Sequence, residues 1–175
     1  MDSGLEGDRR AQGTVRRGRR GRVWGGLLLV GFGVGVVALR TVVLMPVAIE
    51  GRSMEPTVRD GDVAVVWRRT DVARDLDVGD LVVFRDPDGA LSLKRVVGMP
   101  GDRVALRDTV LEVDGRTVDE PYVDRSLVAG TYYGPVTVPA GSVLVMGDNR
   151  GSSIDSRDYG PVDAEQIIGR VLAHW

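Results

Sequence analysis

The chain has 175 residues, no cysteine and a single histidine, His174, which excludes disulfides, thiolate metal sites and a multi-histidine zinc site and leaves a Ser-His-Asp triad only a terminal imidazole. Net charge is −2, so the overall balance does not point to nucleic acid as a partner. Seven arginines against Asp2, Glu6 and Asp8 give residues 1–22 a charge of +4, and the remaining residues therefore carry −6.

Residues 1–22 are rich in Gly and Arg and lack apolar periodicity, which predicts a disordered basic tail. From Val23 to Leu39 the sequence VWGGLLLVGFGVGVVAL has no charge. A helix over it, at roughly 1.5 Å per residue, nearly crosses a hydrocarbon core, with Arg40 at the far boundary. Apolar character continues beyond Arg40 in TVVLMPVAI. By the positive-inside rule the tail is cytoplasmic and everything after the span lies outside. Two other readings share these features. A cleaved signal peptide would end near Val36-Val37-Ala38, and the Arg pairs at 16–17 and 19–20 loosely suggest a twin-arginine signal. The length of the apolar run favours an uncleaved anchor over 23–40. Gly31 and Gly35 form a GxxxG, a weak signal of helix pairing.

Residues 41–175 predict a mainly β domain. Short apolar runs recur at 62–67, 80–84, 91–97, 103–106, 110–113, 142–146 and 166–175. Asp88-Gly89 and Asp114-Gly115 each lie between strand-like runs, a hairpin signature. No amphipathic helix of 12 residues stands out, and there is no tandem repeat. The expected architecture is a twisted antiparallel assembly, partly closed into a barrel.

Three segments carry candidate chemistry. Lys94, in LSLKRVVGMPGD, is the only lysine; every other cation is arginine. Codon bias toward arginine explains that blandly. A chemical reason is that a lysine amine can be deprotonated in apolar surroundings and arginine cannot. On a strand, Lys94 shares a face with Ser92 and Val96, and Arg95 points the other way with Leu93 and Val97. An ordinary lysine has a pKa of about 10.4, and burial lowers it by up to about 3–5 units, which makes a usable base. The segment EGRSMEPTVRDGD (50–62) places Ser53 on a turn flanked by Gly and Pro, either as a backbone-capping residue or as a nucleophile. The polar segment MGDNRGSSIDSRDYGPV (146–162) follows a strand. Asp148, Asn149, Asp155 and Asp158 do not follow a calcium-loop spacing, which leaves a surface turn or a scaffold that orients a base.

Together, in this order and behind an anchor, these segments resemble the type I (leader) signal peptidases of bacteria. The resemblance rests on GRSMEPT, GDLVVF, KRVVGMPGD and GDNRGSSIDSRDYGPV, about a third of the region after the span. It implies Ser53 as nucleophile, followed by Met54 and the Pro56 turn, and Lys94 as general base in a Lys-Arg pair with Arg95. It implies that Ser153 orients the lysine, that Asp155 and Arg157 hold the last loop, and that Gly147, Asp148, Asn149 and Arg150 open it. The implied fold is a β-barrel-like domain with an apolar surface that touches the membrane. The implied partners are signal peptides of exported preproteins, the lipid bilayer and the secretion translocase, with no cofactor and no nucleic acid. The implied location is the plasma membrane, single-pass, with the catalytic domain extracytoplasmic. One departure is Gly51, where some members have a serine that helps bind the oxyanion; the second oxyanion donor is therefore open. Two alternatives remain: a Ser-Lys protease with another target, such as a self-cleaving repressor, and a membrane-anchored adaptor without catalysis.

Overall fold

The computed structural model describes residues 43–68, 75–108, 110–124 and 132–175. The basic tail at 1–22, the expected span at 23–40 and the GxxxG within it lie outside these residues. No helix among the described residues is long and apolar enough to cross a membrane.

Two antiparallel sheets make up the described region. Seven strands form the larger one: β1 (Leu44–Ala48), β2 (Val63–Trp67), β3 (Leu81–Arg85), β4 (Leu91–Gly98), β9 (Ser142–Met146), β10 (Val162–Asp163) and β11 (Ile167–His174). Their order is β1-β2-β11-β3-β4-β9-β10. The smaller sheet holds β5 (Arg103–Arg107), β6 (Val110–Val113), β7 (Arg116–Thr117) and β8 (Tyr132–Thr137), in the order β7-β6-β5-β8. One short helix, α1 (Ser156–Tyr159), follows β9.

All seven apolar runs appear as strands, and both Asp-Gly turns close hairpins. Asp114 and Gly115 take φ of 52° and 74°, the left-handed pair that a two-residue turn between β6 and β7 requires. In the β3–β4 turn, Asp86 accepts from the N–H of Asp88 and Ala90, and Gly89 has φ 82°. Four strands were not anticipated. β7 and β10 have two residues each, and β8 contains Gly134-Pro135, which breaks its register against β5 between Val104 and Leu106. The fourth, β1, lies within TVVLMPVAI. From Leu44 onward these residues pair with β2, Leu44 opposite Trp67 and Ala48 opposite Val63. Their hydrophobicity serves the sheet.

Three apolar clusters form the core. One gathers Leu76, Val82, Phe84, Val96, Val143, Val145 and Val162. A second joins Ile49, Met54, Val58, Ala64, Val66, Val83 and Leu93. The third, around Val97, Val104, Leu106, Leu111, Val138, Leu144 and Met146, packs the small sheet against the large one. Since β4 contributes Val96, Leu93 and Val97 to different clusters, it is gripped on both faces, with β3 and β9 as neighbours. A residue on β4 is thus held far more rigidly than one on a loop.

Candidate active site

Ser53 lies in the loop that joins β1 to β2. That loop is closed by Ile49 N–H to the Asp62 carbonyl (2.8 Å), Gly61 N–H to the Ile49 carbonyl (2.9 Å) and Gly51 N–H to Asp60 Oδ1 (2.8 Å). Met54, almost wholly buried, anchors the loop in the second cluster, and Pro56 is exposed on the turn. Asn149 grips the loop from the other side: its backbone N–H donates to the Ser53 carbonyl (3.0 Å) and its Nδ2 to the Arg52 carbonyl (3.0 Å).

Across the cleft, Lys94 extends from β4 to Ser53. Its Nζ lies 2.9 Å from Ser53 Oγ and 3.1 Å from the Leu93 carbonyl, with only 5% of the residue exposed. Burial pushes the amine below the ordinary lysine value, and the charges of Asp155 and Asp86 oppose the shift without cancelling it. An amine so placed can hold a lone pair toward a hydroxyl and accept its proton.

Arg95 faces the other way, as strand alternation requires, but it is not solvated; it is 8% exposed. Its Nε and Nη2 grip Asp148 at 2.8 and 2.6 Å, and Nη1 donates to the Gly79 carbonyl (2.6 Å). Asp155 is fully buried at the start of α1. It accepts from Arg157 Nε and Nη2 (both 2.8 Å) and from the Gly147 N–H (2.9 Å). Burial alone would raise the Asp155 carboxyl, but the hydrogen bond and charge of Arg157, with the Gly147 N–H, hold it below the ordinary value. Arg157 also donates to the carbonyls of Arg150 (2.8 Å) and Ser153 (3.3 Å). These contacts fold residues 147–157 into a fixed arch, and Ser156 Oγ ties it to Val145 N–H (3.0 Å). Gly147 has no room for a side chain: a Cβ there would collide with Ser153 and the Ser53 carbonyl.

Ser153 is where expectation and structure part. Its Oγ is buried above Gly147 and has no hydrogen-bond partner among the described residues. The second contact of Lys94 is the Leu93 carbonyl. At Gly51 the backbone has φ 93°, a conformation in which a side chain is strained, so this turn favours glycine over serine.

The cleft around Ser53 and Lys94 has a volume of about 520 Å³ and is bordered by Glu50, Arg52, Asp86, Asp88, Ile154 and Asp158. A neighbouring depression of about 310 Å³ shares Glu50 and Ser92 with it and is otherwise apolar, lined by Val47, Ala48, Ile49, Val83, Ala90, Leu91 and Leu93. β1 and β4 both border this depression although three strands separate them in the sheet, so the sheet curls. Among the described residues no group of three His, Asp or Glu is placed to hold a metal ion.

Residues 22–175 match the family described as signal peptidase, peptidase S26. The chain belongs to the bacterial type I signal peptidases. Signal peptidase I of Bacillus caldolyticus is 36% identical over 180 residues, 93% of this chain and 94% of that one. Signal peptidase IB of Staphylococcus aureus (strain COL) is 36% identical over 148 residues, 74% of this chain and 76% of that one. The crystal structure of a signal peptidase I from Enterococcus faecalis V583 superposes with a TM-score of 0.51 at 29% identity, covering 57% of this chain and 98% of the other.

In this signal peptidase the residues that sequence reasoning missed are Glu120 and Tyr122. Arg150 reaches Glu120 with both terminal nitrogens, and the Arg95 guanidinium lies 3.7 Å above the Tyr122 ring. Glu120 is one of 25 acidic residues, and no local spacing sets it apart.

Proposed function

We propose that this peptidase is a membrane-bound serine endopeptidase that removes signal peptides from exported preproteins, with Ser53 as nucleophile and Lys94 as general base. The observation that carries the assignment is the 2.9 Å contact between a buried lysine amine and a serine hydroxyl, two groups 41 residues apart in sequence. Neutral Lys94 takes the Ser53 proton as Oγ attacks the scissile carbonyl. It then protonates the leaving amine, and later activates water to hydrolyse the acyl-enzyme. The Ser53 N–H is the oxyanion donor. Ser153 is the hydroxyl that the family resemblance assigns to orienting Lys94, although its Oγ makes no hydrogen bond among the described residues. Asp155 and Arg157 maintain the arch on which Ser153 sits.

Substrate enters as an added strand. β1 is an edge strand whose free side borders the apolar depression, and main-chain pairing there leaves shallow pockets for small side chains, of the Ala-X-Ala type. The basic tail 1–22 and the span 23–40 hold the β domain at the outer face of the plasma membrane, beside the bilayer and the translocase. A relative that matches 93% of the chain carries the name signal peptidase I, which favours preproteins over a self-cleaving target.

The test is cleavage of a peptide with Ala-X-Ala before the scissile bond by the full chain in detergent. Wild type should cleave. Ser53→Ala and Lys94→Arg should fold and be inactive, although the second keeps the charge. Full activity in either variant removes that residue from its role.

A further inference from the structure

Between β7 and β8 the chain leaves the small sheet and dips toward the arch. There Glu120, 1% exposed, meets Arg150, 2% exposed, as a buried bidentate ion pair. The Tyr122 hydroxyl donates to Glu120 Oε1 (3.2 Å), and its ring lies against Arg95. Neither residue touches the cleft. Yet each grips a cation attached to one half of it. Arg95 is next to Lys94 on β4. Arg150 donates from Nε to the Gly147 carbonyl (3.0 Å) and is next to Asn149, whose N–H holds the Ser53 carbonyl. The Arg95–Asp148 pair closes the circuit.

We propose that Glu120 and Tyr122 are positioning residues: a brace from the small sheet that sets the separation of Ser53 and Lys94. The inference rests on the dyad reading above. Buried ion pairs contribute little net stability compared with apolar packing, so their value lies in geometry. Two planar forks, Arg95 on Asp148 and Arg150 on Glu120, fix the arch from two directions, and a fork tolerates little displacement. An error of about 1 Å at the reacting atoms costs about a hundredfold in rate. The apolar depression that binds substrate shares no residue with the brace. The effect therefore falls on kcat and spares KM.

The lone lysine supplies a second readout. In the full-length protein in detergent, labelling with 13C-lysine gives one side-chain Cε signal, that of Lys94. The charged groups around that amine are Glu50, Arg52, Asp86, Asp88, Asp155 and Asp158, none of which the variants alter. Loosening the arch admits water, reduces desolvation and moves the titration midpoint of Lys94 upward, toward the ordinary lysine value.

The expected result is a kcat lower by about tenfold to a hundredfold in Glu120→Gln and about tenfold in Tyr122→Leu, with KM within about twofold and the lysine midpoint raised in both. Tyr122→Phe keeps the ring over Arg95 and should retain most of kcat. Tyr122 is half-buried, so its variants test the brace even where Glu120→Gln does not fold. Folded variants that melt earlier but keep wild-type kcat and an unmoved lysine signal would reduce Glu120 and Tyr122 to structural supports. If wild type cleaves no signal sequence, the functional reading falls by itself, and the lysine midpoint still decides whether the brace acts on Lys94.

Discussion

Lys94 and Arg95 follow each other on β4, are buried to almost the same extent, and meet opposite surroundings. The Lys94 amine has two neutral oxygens, Ser53 Oγ and the Leu93 carbonyl, with carboxylates only at longer range. Arg95 has the bidentate carboxylate of Asp148, the Gly79 carbonyl and an aromatic face. Burial of a cation is common to both sides of the strand; what differs is whether a carboxylate goes with it. Without one, desolvation favours loss of the proton and creates a base. With one, the charge stays and becomes a fixed point of the scaffold. One strand thus presents chemistry on one face and rigidity on the other.

The largest effect that could break this contrast is on the amine side. Lys94→Met should lower cleavage by about a thousandfold or more, yet thermal melting should not fall, because an apolar chain of similar length replaces a desolvated amine. The sign of the pH dependence follows. The folded-state pKa of Lys94 is below its unfolded value, so below that lowered pKa the folded protein carries a disfavoured charge. That penalty is relieved as pH rises through the lowered value toward the ordinary lysine pKa. Wild type should therefore gain stability relative to Lys94→Met over that window, as measured by melting across pH.

On the guanidinium side the expectation reverses. Asp148→Asn leaves the buried Arg95 without its counter-charge and should lower stability by about 3 kcal/mol, measured by denaturant unfolding. Gly147→Ala tests the seam between the two sides. Its methyl group would press on Ser153 and the Ser53 carbonyl, and kcat should fall by about a hundredfold while the fold survives. The smallest effect is electrostatic. Asp86→Asn removes one of the charges that raise the Lys94 pKa, so the acid limb of the kcat/KM profile should move to lower pH. A shift to higher pH would show that Asp86 acts on Lys94 otherwise than by its charge.

Much of this was legible from local pattern. Alternating apolar runs and Asp-Gly turns place seven strands and both hairpins, because side-chain alternation and left-handed turn chemistry are short-range properties. The same alternation sends Lys94 and Arg95 to opposite faces, and a single lysine among 22 arginines makes Lys94 stand out from the sequence alone. The edge strand β1 was not singled out within the β domain because an apolar run reads alike whether lipid or a sheet covers it. β8 escaped notice because Gly134-Pro135 interrupts its pattern.

Composition, turn positions and strand alternation are thus properties of the sequence alone, since each depends on neighbours a few residues away. The tertiary structure decided which charges are paired. Arg95 meets Asp148 across 53 residues and Arg150 meets Glu120 across 30, and only chain closure brings them together. It also decided that the Lys94 amine is desolvated beside Ser53 and that the Ser153 hydroxyl has no partner among the described residues, because removal of water is a property of the packed whole.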